Sequence, residues 1–302
     1  MKRTLSLFAL VLIAAAPSFA RTLRVASLSR PFEVRVTGQG GGFSVDLPIV
    51  TRVRGVSTTF FTSLDITNNT AQPTGVDFFY TPADGSASRS GSFGTLLGFD
   101  NIHTEDVLAS LADAGIIPPG HENDSFGTLL LTFDNPSFTT GSEATAVARI
   151  WSFASGTAGP TYGLAYRALA LHTAGAHSLA TTVRNGGGLV TNIGIENVGI
   201  DDSGNSVAAP VAVRLTFFDP STGAATGTQP TFVLAPGQVN QINDVFNSGG
   251  QNPFQLPAGA DSLIVFVDAV SGSSQIAGYA VMKDTTTNDG SFVFMQESKT
   301  PF

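Results

Sequence analysis

Phe61-Thr62-Ser63-Leu64-Asp65-Ile66-Thr67-Asn68 and Val190-Thr191-Asn192-Ile193-Gly194-Ile195-Glu196-Asn197 are one stretch written twice, apolar for apolar and ending on the same asparagine. The correspondence continues outward. Phe79-Tyr80-Thr81-Pro82-Ala83-Asp84-Gly85 answers Phe217-Phe218-Asp219-Pro220-Ser221-Thr222-Gly223, and Glu105-Asp106-Val107-Leu108 answers Asn243-Asp244-Val245-Phe246. A repeat this long is a whole domain, so the shared residues are those that a common fold needs. The expected units are 49–169 and 170–302, joined by the small, polar stretch around His172.

Between the matches the periodicity is that of strands. The runs 76–80, 128–133, 146–153, 211–218, 262–267 and 276–282 are short, β-branched and aromatic, and bounded by Gly, Pro, Asn and Asp. Pro82-Ala83-Asp84-Gly85 and Pro220-Ser221-Thr222-Gly223 place Pro early and Gly last, as a tight reversal between two strands requires. Asp201-Asp202-Ser203-Gly204-Asn205 reads the same way. One segment departs from this pattern. Thr104 suits an N-cap, Glu105 and Asp106 suit the positive end of a helix, Val107, Leu108 and Leu111 share a face, and Gly115 ends it. That predicts a short inserted helix near 104–114, of about three turns, with a single turn at its counterpart near 243–246. The whole reads as an all-β chain of sandwich strands.

The first twenty residues are an address. Lys2 and Arg3 precede an apolar run from Leu5 to Ala16, and Ser18-Phe19-Ala20 is a small-x-small exit, so 1–20 is read as a secretory signal peptide. No later run reaches the ~18 apolar residues of a membrane helix, so no transmembrane segment is expected after cleavage. With no Cys in the chain, each unit must hold together by burial alone. Formal net charge is -8. Loss of Lys2 and Arg3 takes it to about -10, which argues against a nucleic-acid partner. Basic residues concentrate early, at Arg21, Arg24, Arg30, Arg35, Arg52 and Arg54. The segment 21–48 is therefore expected to be a basic strand or arm that lies against the chain's own acidic body, or else touches an anionic surface.

Arg149-Ile150-Trp151 followed by Gly159-Pro160-Thr161-Tyr162-Gly163 resembles one strand-end signature of a known group, and a second resemblance lies further on. It is Tyr279-Ala280-Val281-Met282-Lys283-Asp284 followed by Asn288-Asp289-Gly290-Ser291-Phe292. The group comprises uncharacterised, secreted, internally duplicated β-sandwich proteins of environmental Gram-negative bacteria. The similarity covers most of the chain after residue 49. It implies two tandem immunoglobulin-like sandwiches and brings no known activity, cofactor or catalytic residue.

Chemistry-bearing motifs are scarce. There is no Gly-x-Ser-x-Gly elbow, no His-Glu-x-x-His, no phosphate loop and no dinucleotide fingerprint. His172 and His177 stand five apart, and His103 and His121 flank the helix near Glu105, Asp106, Glu122 and Asp124. Neither arrangement offers the three or four convergent ligands of a zinc site, so no metal is assigned. Glycoside hydrolysis needs two carboxylates, and Asp124 with Asp134, Asp65 with Asp77, or Asp261 with Asp268 are the pairs available. Their turn-rich surroundings favour local backbone bonding instead. Calcium is a side hypothesis at Asp201, Asp202 and Asn205 or at Asp284, Asn288 and Asp289, neither of which has the spaced ligand loop. One Trp and four Tyr are too few for the girdles of a membrane barrel, while 23 Phe suit dry sandwich cores, with Trp151 among them.

Two classes of function follow. The first is a secreted, non-enzymatic structural or interaction protein at the cell surface, whose partner is another envelope protein, a glycan or itself. The alternative is an extracellular polysaccharide-binding module or hydrolase that uses loop carboxylates. No catalytic residue and no cofactor are assigned.

Overall fold

A computed structural model describes residues 21–22, 25–28, 42–54, 58–118, 121, 124–152, 162–171, 177–184, 188–228, 231–246, 261–287 and 289–298. The expected leader 1–20, most of the arm 21–48, and His172, Glu122 and Asn288 lie outside the described residues.

The N-terminal half contributes β1 (Arg21–Thr22), β2 (Ala26–Leu28), β3 (Phe43–Arg54), β4 (Thr59–Asn68), β5 (Thr74–Pro82), β6 (Arg89–Leu96) and β7 (Asn101–Thr104). Helix α1 (Val107–Asp113) follows, then β8 (Asp124–Phe133), β9 (Ala144–Ser152), β10 (Tyr162–Arg167) and β11 (Leu169–Ala170). The C-terminal half contributes β12 (Ser178–Arg184), β13 (Leu189–Asn197), β14 (Val211–Phe218), β15 (Ala225–Thr228) and β16 (Phe232–Leu234). It continues with β17 (Val239–Ile242), β18 (Ser262–Ser271), β19 (Ile276–Asp284), β20 (Gly290–Phe294) and β21 (Gln296–Glu297). The fold is all-β with a single short helix among the described residues, as the strand periodicity predicts.

Strand order is the same in both halves. In the C-terminal half one sheet runs β21-β12-β18-β14-β15, and the other runs β17-β13-β19-β20. The N-terminal half pairs β11-β3-β8-β5-β6 and β7-β4-β9-β10 in matching order. Its two layers join at a corner where β3 meets β4 over Val53↔Phe60 and Arg54↔Thr59 only. Short β2 extends the first layer beyond β6, and β1 adds a parallel edge to β7. A register shift between Leu47 and Val50 bends β3 at Pro48, a residue that has no N–H to give a ladder.

Burial separates inner sheets from outer ones. β14 alternates buried and half-buried positions along its length, and β9 alternates similarly, as strands with one wet face must. In β3, by contrast, Phe43–Thr51 are buried without a break, as are Gly127–Phe133 in β8 and Ile276–Val281 in β19. These strands are covered on both faces because the outer surface of β3-β8-β5 packs against the outer surface of β13-β19. Phe79, Leu130 and Leu171 there meet Val198, Ile200 and Ala277. On their other faces, Val45, Leu47, Phe78, Leu129 and Leu131 fill the N-terminal core, and Ile193, Ile195, Ile276 and Ala280 fill the C-terminal one.

Several expectations need correction. Thr104 does not cap α1; Asp106 does, its carboxylate accepting from Ala109 N, and the helix is seven residues long. Thr104 Oγ1 instead accepts from Asp106 N at 3.3 Å. β3 starts at Phe43, so the first layered unit reaches back across residue 49. Trp151 does not face the core. Ile150 takes the core face, and Trp151 points the other way, tilted against Phe61 at 5.4 Å. The match of Phe79 with Phe217 is also out of phase. Phe79 lies at the junction of the halves and Phe217 inside the C-terminal core, because a one-residue slip in a strand exchanges its faces. No helix among the described residues is long and apolar enough to cross a membrane.

Candidate functional site

The junction between the halves buries two acids and borders a cleft. Asp46 of β3 alternates with core-facing Val45 and Leu47, so it points out of the N-terminal core and toward the C-terminal half. Glu196 of β13 does the reverse from between Ile195 and Asn197. Both are buried, at 1% and 3% exposure, and among the described residues no cation offsets them. Both Asp46 oxygens and Glu196 Oε2 lack a well-formed hydrogen bond. Burial pushes Asp46 up to about 7. Burial, and then the charge of Asp46, raise Glu196 well above the usual carboxylate range. Burial and their mutual charge keep the two groups from ionising together, so the pair holds on to a proton.

Aromatic groups close the rest of the junction. Tyr166 of β10 stacks on Phe292 of β20 with centroids 4.4 Å apart and donates its hydroxyl proton to Ile49 O. Phe292 stacks in turn on Tyr279 at 5.0 Å. The Tyr279 ring lies across Gly194, where any Cβ would meet ring carbons at 2.1 Å, so the β13 position has to be glycine. Turn Ala235–Gln238 reaches over to the first half: Thr128 Oγ1 donates to Gly237 O at 2.6 Å, and Gln238 Nε2 donates to Ala83 O at 3.0 Å.

Beside this seal opens a cleft of about 650 Å³. Ile49, Val53, Phe60, Phe126 and Leu164 supply an apolar wall from the N-terminal half, and Asn192, Asn240, Gln241, Asn243 and Lys283 face them from the C-terminal half. Three of the four amides are held in place. Tyr279 Oη donates to Gln241 Oε1 at 2.8 Å, Gln241 Nε2 donates to Asn243 Oδ1 at 2.7 Å, and Asn192 Oδ1 accepts from Asp244 N at 2.8 Å. Among the described residues the NH₂ groups of Asn192 and Asn243 have no acceptor and can donate to a ligand. Among the described residues no carboxylate lines the cleft. It is suited to holding a neutral polar group against an apolar wall.

None of the three carboxylate pairs comes together. Asp124 and Asp134 bracket the ten-residue β8, about 30 Å of extended chain apart. Asp65 and Asp77 lie on outward faces of different layers. Asp261 pairs with Arg184 at 3.0 Å, while Asp268, seven residues further along the chain, accepts from Ser178. The turn role predicted for the other acids is present: Asp201 Oδ1 accepts from Ser203 N and Asn205 N, and Asp284 Oδ1 accepts from Thr286 N and Thr287 N. Among the described residues no three His, Asp or Glu side chains converge on a metal position. His103 bridges Asp65 at 2.8 Å and Glu105 at 3.1 Å; burial pulls its pKa down, but those two acids outweigh it and raise it. His177 meets Asp202 at 2.7 Å. Arg52, from the basic N-terminal cluster, is turned onto the chain's own Asp106 at 2.8 Å.

Sequence reading missed Asp46 and Glu196. Their signal was local: each is an acid inside an otherwise apolar or small-residue strand, at a position where an ordinary sandwich strand would face water.

No family model matches the chain, and no curated protein matches it. Among solved structures, the lectin of Pleurotus ostreatus in its apo form aligns at 8% identity over 92% of this chain and 86% of that chain, with a TM-score of 0.18. The Pleurotus ostreatus lectin in complex with GalNAc aligns at 7% identity over 91% and 86%, with a TM-score of 0.17. Scores this low define no common fold.

Proposed function

We propose that the chain is a secreted, non-enzymatic interaction protein built of two tandem immunoglobulin-like sandwiches, whose junction cleft holds a segment of an envelope partner. The tandem reading is supported by the repeated strand order. In each half the last strand, β11 or β21, pairs β3 or β12 in the place of an immunoglobulin A strand, giving A-B-E-D and C-F-G sheets, with β6 and β7 in one half and β15, β16 and β17 in the other inserted between D and E. The observation that carries the functional reading is the cleft itself, with pre-set amides opposite an apolar wall and, among the described residues, no carboxylate to act as acid or base. The same amides suit sugar hydroxyls, which favours, as the second reading, a polysaccharide-binding module over a hydrolase.

Capture from envelope extract, a glycan array and a reducing-sugar assay test this together. Expected is retention of one class of partner, weakened at least tenfold in the double variant Asn240→Ala/Asn243→Ala, with no release of reducing ends. Capture unaffected by that double variant, or no retention of either class, overturns the reading.

A further inference from the structure

One kind of sheet-to-sheet contact is used inside the chain, and the matching pair of surfaces is left over. The outer face of β13-β19 lies on the outer face of β3-β8-β5. Because the strand orders repeat, the N-terminal half owns a second surface of the first kind, on β7-β4-β9-β10, and the C-terminal half a second surface of the other kind, on β12-β18-β14-β15. On the former, register places Phe61 beside Trp151 and Asp65 beside Val147. On the latter it places Thr216 beside Phe266 and Phe218 beside Ile264, with Val233 next to Ala212 at the edge.

Exposed apolar residues gather on these two surfaces. Val147 is 39% exposed on the first; Val233 is 62% exposed on the second, and Val270, at the β18 bulge, 43%. The rim of the first surface shows the same bias. Turn Ala235–Gln238, which inside the chain reaches across to Thr128 and Ala83, has its counterpart in Leu97–Asp100, since Gln238 O and Asp100 O accept from the matched Asn197 N and Asn68 N. The left-handed position of that turn is Gly237 (φ 74) in the C-terminal half and Phe99 (φ 56) in the N-terminal half. Phe99 is 69% exposed and its neighbour Leu97 48%. A bulky apolar side chain therefore occupies a strained site, facing water, where the internal contact has a relaxed glycine.

We infer that a second copy of this chain docks here head to tail, the outer β12-β18-β14 surface of one copy covering the β4-β9 surface of the next, as the two halves already pack within one copy. The inference rests on the tandem-sandwich reading. Such a contact is heterologous, so each copy keeps one surface open for another.

Light scattering and sedimentation velocity on the full chain test it, with Val147→Asp and Val233→Asp as exposed-site variants and thermal melts as the folding control. The unaltered protein is expected to gain mass with concentration beyond a dimer. Each variant alone stays monomeric, and an equimolar mixture forms a one-to-one dimer, because each supplies the surface that the other lost. A monomeric unaltered protein, a folded variant that assembles alone, or a mixture that stays monomeric overturns the inference. The cleft variant Asn240→Ala/Asn243→Ala separates the two readings: it should assemble normally, and capture by a protein that fails to assemble leaves the cleft proposal standing.

Discussion

Asp46 and Glu196 face each other across the junction of the halves as a buried acid pair, and among the described residues no cation offsets them, so that burial holds a proton on the pair. Each therefore makes the stability of the folded chain depend on pH. Asp46 rises from 3.8 to about 7 on folding, so between those values the folded chain holds a proton that the unfolded chain has released. Stability is thus fully present below 3.8 and declines as pH rises toward about 7, with Glu196 acting in the same direction. At 1.36 kcal/mol per pKa unit the loss is on the order of 4 kcal/mol. Melting temperatures measured from pH 4 to pH 8 should fall across that range, and Asp46→Asn should flatten the fall by removing one of the two titrating acids and its charge from beside Glu196. A melting temperature independent of pH in the unaltered protein would rule out a proton retained on the pair.

Asn68 and Asn197 make matching bonds. Asn68 Nδ2 donates to Leu97 O and Asn197 Nδ2 to Leu234 O, both at 3.0 Å, and each Oδ1 accepts the N–H two residues on, from Thr70 and Gly199. Both side chains are buried. Replacing either with Ala removes these bonds from a buried loop, at a cost of about 1–3 kcal/mol in urea unfolding. Equal losses at both sites are expected, and a neutral result at one would show that its loop is held by other bonds.

Leu64 and Ile193, matched residues of β4 and β13, are 1% and 0% exposed. Leu64→Ala and Ile193→Ala should each cost about 2–5 kcal/mol. A change within about 0.5 kcal/mol at either would place that side chain outside the core.

Phe99 and Gly237 predict effects of opposite sign. Phe99→Gly relieves a left-handed backbone that costs about 1–2 kcal/mol for a residue with a Cβ, offset by the greater freedom of the unfolded glycine. A gain of up to about 1 kcal/mol should result. Gly237→Ala imposes the same strain where none exists and should lose about 1 kcal/mol or more. Chemical denaturation of both variants checks the pair, and a destabilised Phe99→Gly would mean that Phe99 packs rather than strains.

The β class, the runs that become β5, β8, β9, β14, β18 and β19, and the turns at Pro82 and Pro220 were all legible in the chain, because side-chain alternation and turn chemistry act over a few residues. The role of Asn197 as an echo of Asn68 was visible for the same reason. What the tertiary structure alone decided is which strands have two dry faces. Alternation in β9 implies a wet face, but nothing local in Phe43-Ser44-Val45-Asp46-Leu47 announces that its polar face will be covered by residues 150 positions away. That covering depends on how two finished sheets meet, and it created the Asp46–Glu196 pair, the amide-lined cleft and the outward Trp151, none of which the sequence by itself could place.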